Sequence, residues 1–187
     1  MKYPSCPFAL RSRHQRGFTL VELLVTIVII AILATLGVPS FTQFLRNWQR
    51  DSATRAFMSH VQLARTEAIK TSRKVVMCTS ANGTSCASGA GSTNWKQGWV
   101  VFVDADSDDD LDTSKGDRIL AVRSGSAGIA SMTSSDNVAK LTFLSNGLMG
   151  SSATTVTVTP SGSSGLKLNK IAISRVGRTS LSTEDQS

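Results

Sequence analysis

Gly17-Phe18-Thr19-Leu20-Val21-Glu22-Leu23-Leu24-Val25-Thr26-Ile27-Val28-Ile29-Ile30-Ala31-Ile32-Leu33-Ala34-Thr35-Leu36-Gly37-Val38-Pro39 is the stretch that decides the architecture. From Phe18 to Val38 there are 21 residues and one charge, Glu22. At about 1.5 Å of rise per residue, a helix of that length just crosses the ~30 Å hydrocarbon core of a bilayer. Lys2, Arg11, Arg13 and Arg16 precede it with no acid among them, so the positive-inside bias leaves the N-terminus in the cytoplasm.

An ordinary secretory signal has a shorter apolar core followed by a small-residue cleavage site. Here the run is longer, and the polar-to-apolar junction is Gly17-Phe18, placed ahead of it. A cut there leaves the apolar helix on the mature chain, with Glu22 as its fifth residue. A carboxylate inside an otherwise unbroken span is costly, and lipid offers it no cation or donor. The bland alternative is a plain single-pass anchor with Glu22 at the headgroup level.

Basic leader, Gly17-Phe18-Thr19-Leu20-x-Glu22, apolar run and Pro39 together resemble a type IV prepilin N-terminus. The resemblance implies cleavage after Gly17 by a prepilin peptidase, N-methylation of Phe18, and filament assembly through the apolar helix, with Glu22 and Pro39 as assembly residues. It also implies that the Glu22 carboxylate offsets the buried positive N-terminus of a neighbouring subunit. The fold implied is the α+β type IV pilin fold, a long N-terminal helix, its first half transmembrane, packed on a small antiparallel β-sheet head. The domains expected are a cleaved leader (1–17), a membrane and filament-core helix (18–38), the second half of that helix (39–73) and a periplasmic β-rich head (74–187).

Composition narrows the partners. The net charge of +7 comes from 20 basic and 13 acidic residues, and four of the basic ones lie in the leader. The remainder is near balance, so a generally nucleic-acid-coating domain is not indicated. Of three cysteines, Cys6 leaves with the leader, while Cys78 and Cys86 lie on the exported side, where a disulfide is expected.

Gly37 and Pro39 interrupt the helix, but Phe41, Phe44, Leu45 and Trp48, then Ala56, Phe57, Val61, Ala64, Ala68 and Ile69, continue an apolar stripe. Trp48 reads as core or interface. Arg46, Arg50, Arg55, Arg65 and Lys70 read as the solvated face, and Thr71-Ser72-Arg73 as the end. Strands are expected near 74–79, 98–104, 118–123, 138–144, 154–159 and 166–174, with a short last one near 178–181. The motifs Trp95-x-x-Gly98-Trp99-x-Val101-Phe102-x-Asp104, Gly116-Asp117-Arg118-Ile119-Leu120, Phe143-x-x-x-Gly147 and Ile173-Ser174-x-x-Gly177-Arg178 are similar, in this order, to FimT/FimU minor pilins and the H-type pseudopilin of type II secretion.

Three constellations invite a function. Asp104, Asp106, Asp108, Asp109, Asp110 and Asp112 imitate the start of a calcium loop. Asp109 replaces its glycine and Lys115 its bidentate Glu, so a solvated hairpin turn is the reading preferred here, with no metal or cofactor. Lys167, Lys170, Arg175 and Arg178, around Gly177, form an acid-free basic run to Thr183 and could project towards one side, a phosphate-binding arrangement. In FimT-like proteins a C-terminal Gly-Arg-x-Arg is associated with binding double-stranded DNA; Gly177-Arg178-Thr179 matches it, but Ser180 replaces the second Arg. Trp95 and Trp99 suggest either base stacking or, more commonly, core packing. His60 alone remains after the leader, with no nucleophile motif or zinc-ligand set, so no catalysis is expected.

The reading is of a non-catalytic minor pilin that primes a type IV pilus. The alternatives are a DNA-binding minor pilin for natural transformation and an H-type pseudopilin of the type II secretion system. The partners implied are other minor and major pilins or pseudopilins, prepilin peptidase and the inner membrane, with DNA only in the second alternative.

Overall fold

The computed structural model describes residues 17–162 and 166–185, with the backbone alone for 36–40. The leader cations Lys2, Arg11, Arg13 and Arg16, together with Cys6, lie outside the described residues. One α-helix, α1, runs Leu20–Thr71. It starts two residues later than the apolar run because the Thr19 hydroxyl accepts the Glu22 N–H at 3.2 Å, which makes Thr19 the cap and puts Glu22 in the first turn. The helical backbone continues through Gly37 and Pro39. It stops at Thr71, where Ser72 takes a left-handed φ of 53°. The described residues form two compact units, divided between Ser40 and Phe41.

In the second unit, α1 is followed by eight strands: β1 Lys74–Thr79, β2 Gly98–Asp104, β3 Arg118–Ser124, β4 Ile129–Ser134, β5 Lys140–Phe143, β6 Thr154–Pro160, β7 Lys167–Ile173 and β8 Thr179–Asp185. They form two antiparallel sheets, ordered β3-β2-β1-β5 and β4-β6-β7-β8. This is the expected α+β architecture of one long helix and antiparallel sheets, with two departures from expectation in the strands. Strand β4 was not foreseen, and β8 continues to Asp185 instead of ending near Leu181.

Small side chains let α1 come close to the sheets. Ala53, Phe57, Val61, Ala64 and Ala68 recur at three- and four-residue steps and are fully buried. They share one core with Met77, Trp99 and Val101 of the first sheet and Val156, Val158 and Ile171 of the second. Phe57 stands edge-on to both Trp95 and Trp99, with centroids at 5.2 and 5.3 Å, so both indoles are core residues. In β6, Thr and Val alternate half-buried and buried, the pattern of a sheet with one face on the core. In β1 and β2, nearly every residue is buried on both faces. The outer face, Val76, Cys78, Val100 and Phe102, lies under Cys86 and Leu111, so loops roof it.

The expected stripe needs two corrections. Phe41, Phe44, Leu45 and Trp48 are exposed, Trp48 to 60%, so Trp48 is no core residue and the buried stripe opens at Ala53. Arg50, placed on the solvated face, is 8% exposed: its guanidinium donates to the Lys167 carbonyl and pairs with Asp51 at 2.8 Å. Asn169, also buried, donates to Asp51 and Thr54 and accepts from Thr183. This polar knot ties β7 and β8 to the helix.

Candidate assembly and binding surfaces

At the N-terminus, Phe18 and the large apolar side chains from Leu20 to Leu33 are all exposed, between 48 and 80%. A helix apolar on every side cannot satisfy itself in water and must be covered by lipid or by other helices. Glu22 in the first turn complements the helix dipole and makes no ion pair among the described residues. Among the described residues no helix is long and apolar enough to cross a membrane. The side chains of the apolar run are described only as far as Thr35; that of Pro39 lies outside the description.

The Cys78–Cys86 disulfide pins the loop after β1 against the outer face of the first sheet, and the Ala87 N–H donates to the Thr79 carbonyl at 2.7 Å. The Asp-rich loop is a hydrogen-bonded knot that keeps a net negative charge. Asp104, 1% exposed, accepts the Ser107 and Asp109 N–H groups. Asp117 accepts those of Ala105 and Asp112. Three lysines meet five of the carboxylates: Lys74 with Asp104 and Asp109 at 3.2 and 3.0 Å, Lys115 with Asp106 and Asp108 at 3.3 and 2.6 Å, and Lys140 with Asp110 at 2.8 Å. The hydrogen bond from Lys115 holds the Asp108 carboxyl below its usual range, and the same pair raises Lys115. Asp104, Asp106 and Asp108 come close enough to hold a cation, but Lys74 and Lys115 already supply positive charge there.

The four C-terminal cations do not form one face. Strand alternation puts Lys167 on the side of Asn169 and Ile171, and Lys170 on the opposite side. The longer β8 brings two acids alongside: Lys170 pairs with Glu184 at 2.6 Å and Lys167 more loosely with Asp185 at 3.8 Å. Arg175 and Arg178, in the turn after β7, are exposed and have no ion pair among the described residues. Gly177, at φ 69°, makes that turn, and its N–H donates to the Ser174 carbonyl. Arg178 also borders a cleft of about 520 Å³ lined by Ser135, Thr154, Ala172 and Ser180.

A contact not foreseen joins α1 to β2. The Trp99 indole N–H donates to His60 Nδ1 at 2.8 Å, and Arg123 lies 5.6 Å over the Trp99 ring. Burial, and then the Arg123 charge, hold His60 below its usual pKa, so the ring is the neutral acceptor this bond requires. His60 is thereby engaged in packing, and among the described residues no carboxylate bonds to it.

These features define a class: a chain whose N-terminal helix exposes apolar side chains on every face and continues into an α+β head. A family model described as "Type II transport protein GspH" matches residues 53–177, and one described as "Prokaryotic N-terminal methylation motif" matches residues 12–38. The chain belongs to the GspH family of type IV pilin-like proteins.

The "Prepilin peptidase-dependent protein D" of Escherichia coli (strain K12) is 59% identical over 32 residues, 17% of this chain and 22% of that protein. The chain thus spans about a fifth of that relative's length. Crystal structures of the type IV minor pilin FimU of Pseudomonas aeruginosa (strain PAO1) in two space groups are similar in fold, at 21% identity. One has a TM-score of 0.55 over 74% of this chain and 92% of that one; the other has 0.52 over 71% and 91%.

Proposed function

We propose that this protein is a FimU-like minor pilin that assembles into a type IV pilus and helps to prime it. The leader 1–17 is removed, 18–38 forms the membrane and filament-core helix, 39–73 its continuation, and 74–187 the periplasmic head. Before assembly the chain sits in the inner membrane with its N-terminus in the cytoplasm. The observation that carries this reading is the exposed apolar N-terminal helix with a lone carboxylate, Glu22, in its first turn. Packing among like helices covers the apolar surface, and the N-terminus of a neighbour, the α-amine of its Phe18, supplies the cation that Glu22 lacks. Pro39 tunes the packing beyond it. The head acts through contact with other pilins, and the disulfide suits an oxidising compartment.

The test has two arms. Mass spectrometry of membrane-extracted protein is expected to find Phe18 as a methylated N-terminus, and Glu22→Ala is expected to lower incorporation into sheared pili at least roughly tenfold. Retention of residues 1–17, or undiminished incorporation of the variant, sinks the reading. Deletion separates the alternatives: lost piliation or twitching supports a pilus subunit, whereas lost exoprotein secretion with normal pili supports an H-type pseudopilin. DNA capture is the weaker reading, since Lys167 and Lys170 face acids and only Arg175 and Arg178 stand open. Lost DNA uptake with normal pili would favour it.

A further inference from the structure

We infer that the surface where the 144–149 and 174–178 turns meet the last turns of α1 docks an acidic segment of another protein chain, one that also carries apolar side chains. This rests on reading the protein as an assembly subunit and names what its head recognises. The two turns lie side by side, since the Met149 N–H donates to the Arg175 carbonyl at 2.8 Å. Both press on the helix through glycines with positive φ. A Cβ on Gly147 would stand 2.6 Å from Ile69 Cδ1, and one on Gly177 would stand 2.8 Å from Arg65 Cδ. Gln62 donates to the Gly177 carbonyl at 3.2 Å and fixes the second turn. Arg65, Ile69 and Gln62 line a shallow groove of about 340 Å³ on the helix.

The chemistry of this surface is mixed. Ile69, Leu148 and Val176, on the helix and the two turns, are 42 to 49% exposed and leave large apolar side chains to solvent on this surface. Around them Arg175 and Arg178 have no ion pair among the described residues. Arg65 Nε is buried and has no acceptor among the described residues. The nearby acid of the same helix, Glu67, is two residues from Arg65 and already held by Arg118 at 2.6 Å and Lys70 at 3.6 Å. The surface therefore carries uncompensated positive charge around an apolar centre. Complementarity calls for carboxylates at the rim and aliphatic or aromatic side chains in the middle. A duplex would meet the arginines with phosphates but would leave the apolar centre unmatched, which favours protein.

The experiment uses the full-length chain in its own cells, with p-benzoylphenylalanine replacing Val176 in one strain and Leu24, on the apolar helix, in another. Irradiation at Val176 is expected to give an adduct whose partner peptide, read by mass spectrometry, belongs to a different chain and is rich in Asp and Glu beside apolar residues. The double change Arg175→Glu with Arg178→Glu should lower that adduct roughly tenfold, while Arg→Lys at both positions keeps it. No Val176 adduct, an adduct to nucleic acid, one to a second copy of this chain, or one to a segment lacking acids overturns the docking surface. Loss of the Leu24 adduct to neighbouring helices refutes the assembly reading instead, so the two failures are read separately.

Discussion

Acidification to pH 5 should weaken the packing of α1 on the first sheet, and His60 should be the group responsible. The ring accepts the Trp99 indole N–H through Nδ1, and a proton on that nitrogen turns the acceptor into a donor facing a donor. Burial and the neighbouring Arg123 depress the folded-state pKa. The unfolded chain therefore takes up the proton first, near pH 6.5, and the stability present above that pH is lost as the pH falls.

One proton sets a ceiling of about 1.4 kcal/mol per pH unit. With the ring half open to solvent, screening reduces this, and a total of about 1 kcal/mol, the worth of one neutral hydrogen bond, is expected between pH 7 and 5. The assay is the urea midpoint of the detergent-solubilised protein by tryptophan fluorescence, for wild type and His60→Phe. The variant loses about 1 kcal/mol at pH 7.5, because Trp99, 2% exposed, keeps an indole N–H without a partner; it should then show a flat profile down to pH 5. Parallel pH profiles for the two proteins would refute the reasoning.

Three further outcomes are expected. Replacing Cys78 and Cys86 with Ser should cost about 2 kcal/mol by the same urea assay, and should raise binding of an apolar dye as the loop lifts from Val76, Val100 and Phe102; an unchanged midpoint would count against the loop as a roof. The hydrogen bond from Arg118 holds Glu67 below its usual pKa, so its stabilisation is present above about pH 4.5 and fades as the pH falls further. Glu67→Gln should accordingly flatten the acid limb of the wild-type pH–stability curve and leave the His60 window alone. Exchange of calcium for a chelator should leave the melting temperature unchanged, because Lys74, Lys115 and Lys140 already occupy the carboxylates of Asp104, Asp106, Asp108, Asp109 and Asp110; a rise of several degrees with calcium would contradict this.

How far the chain could be read in advance follows from the range of the interactions concerned. The apolar run, the Val100-Val101-Phe102-Val103 strand and the alternation in Thr154–Thr159 announce themselves through neighbours in sequence. Strand β4 does not: Ile129-Ala130-Ser131-Met132-Thr133-Ser134 has two large apolar residues and exists because β6 pairs with it. The basic run looked free of acids for a similar reason. Its counter-charges, Glu184 and Asp185, arrive only through the β7–β8 register. Trp99 and His60 lie 39 residues apart, and nothing local in either stretch foretells their bond. Thr19-x-x-Glu22 is a local capping pattern, and the helix starts on it.

The pairing at the edge strand has a consequence for processing. Glu184 and Asp185 close β8 without touching the core, and they are the counterweights to Lys170 and Lys167. A protease cut after Thr183 would leave every buried side chain where it is, yet it would release two ammonium groups at once and add to the open cations at Arg175 and Arg178. Trimming two acids from an exposed tail would thus recharge the head's second sheet while its fold stayed the same.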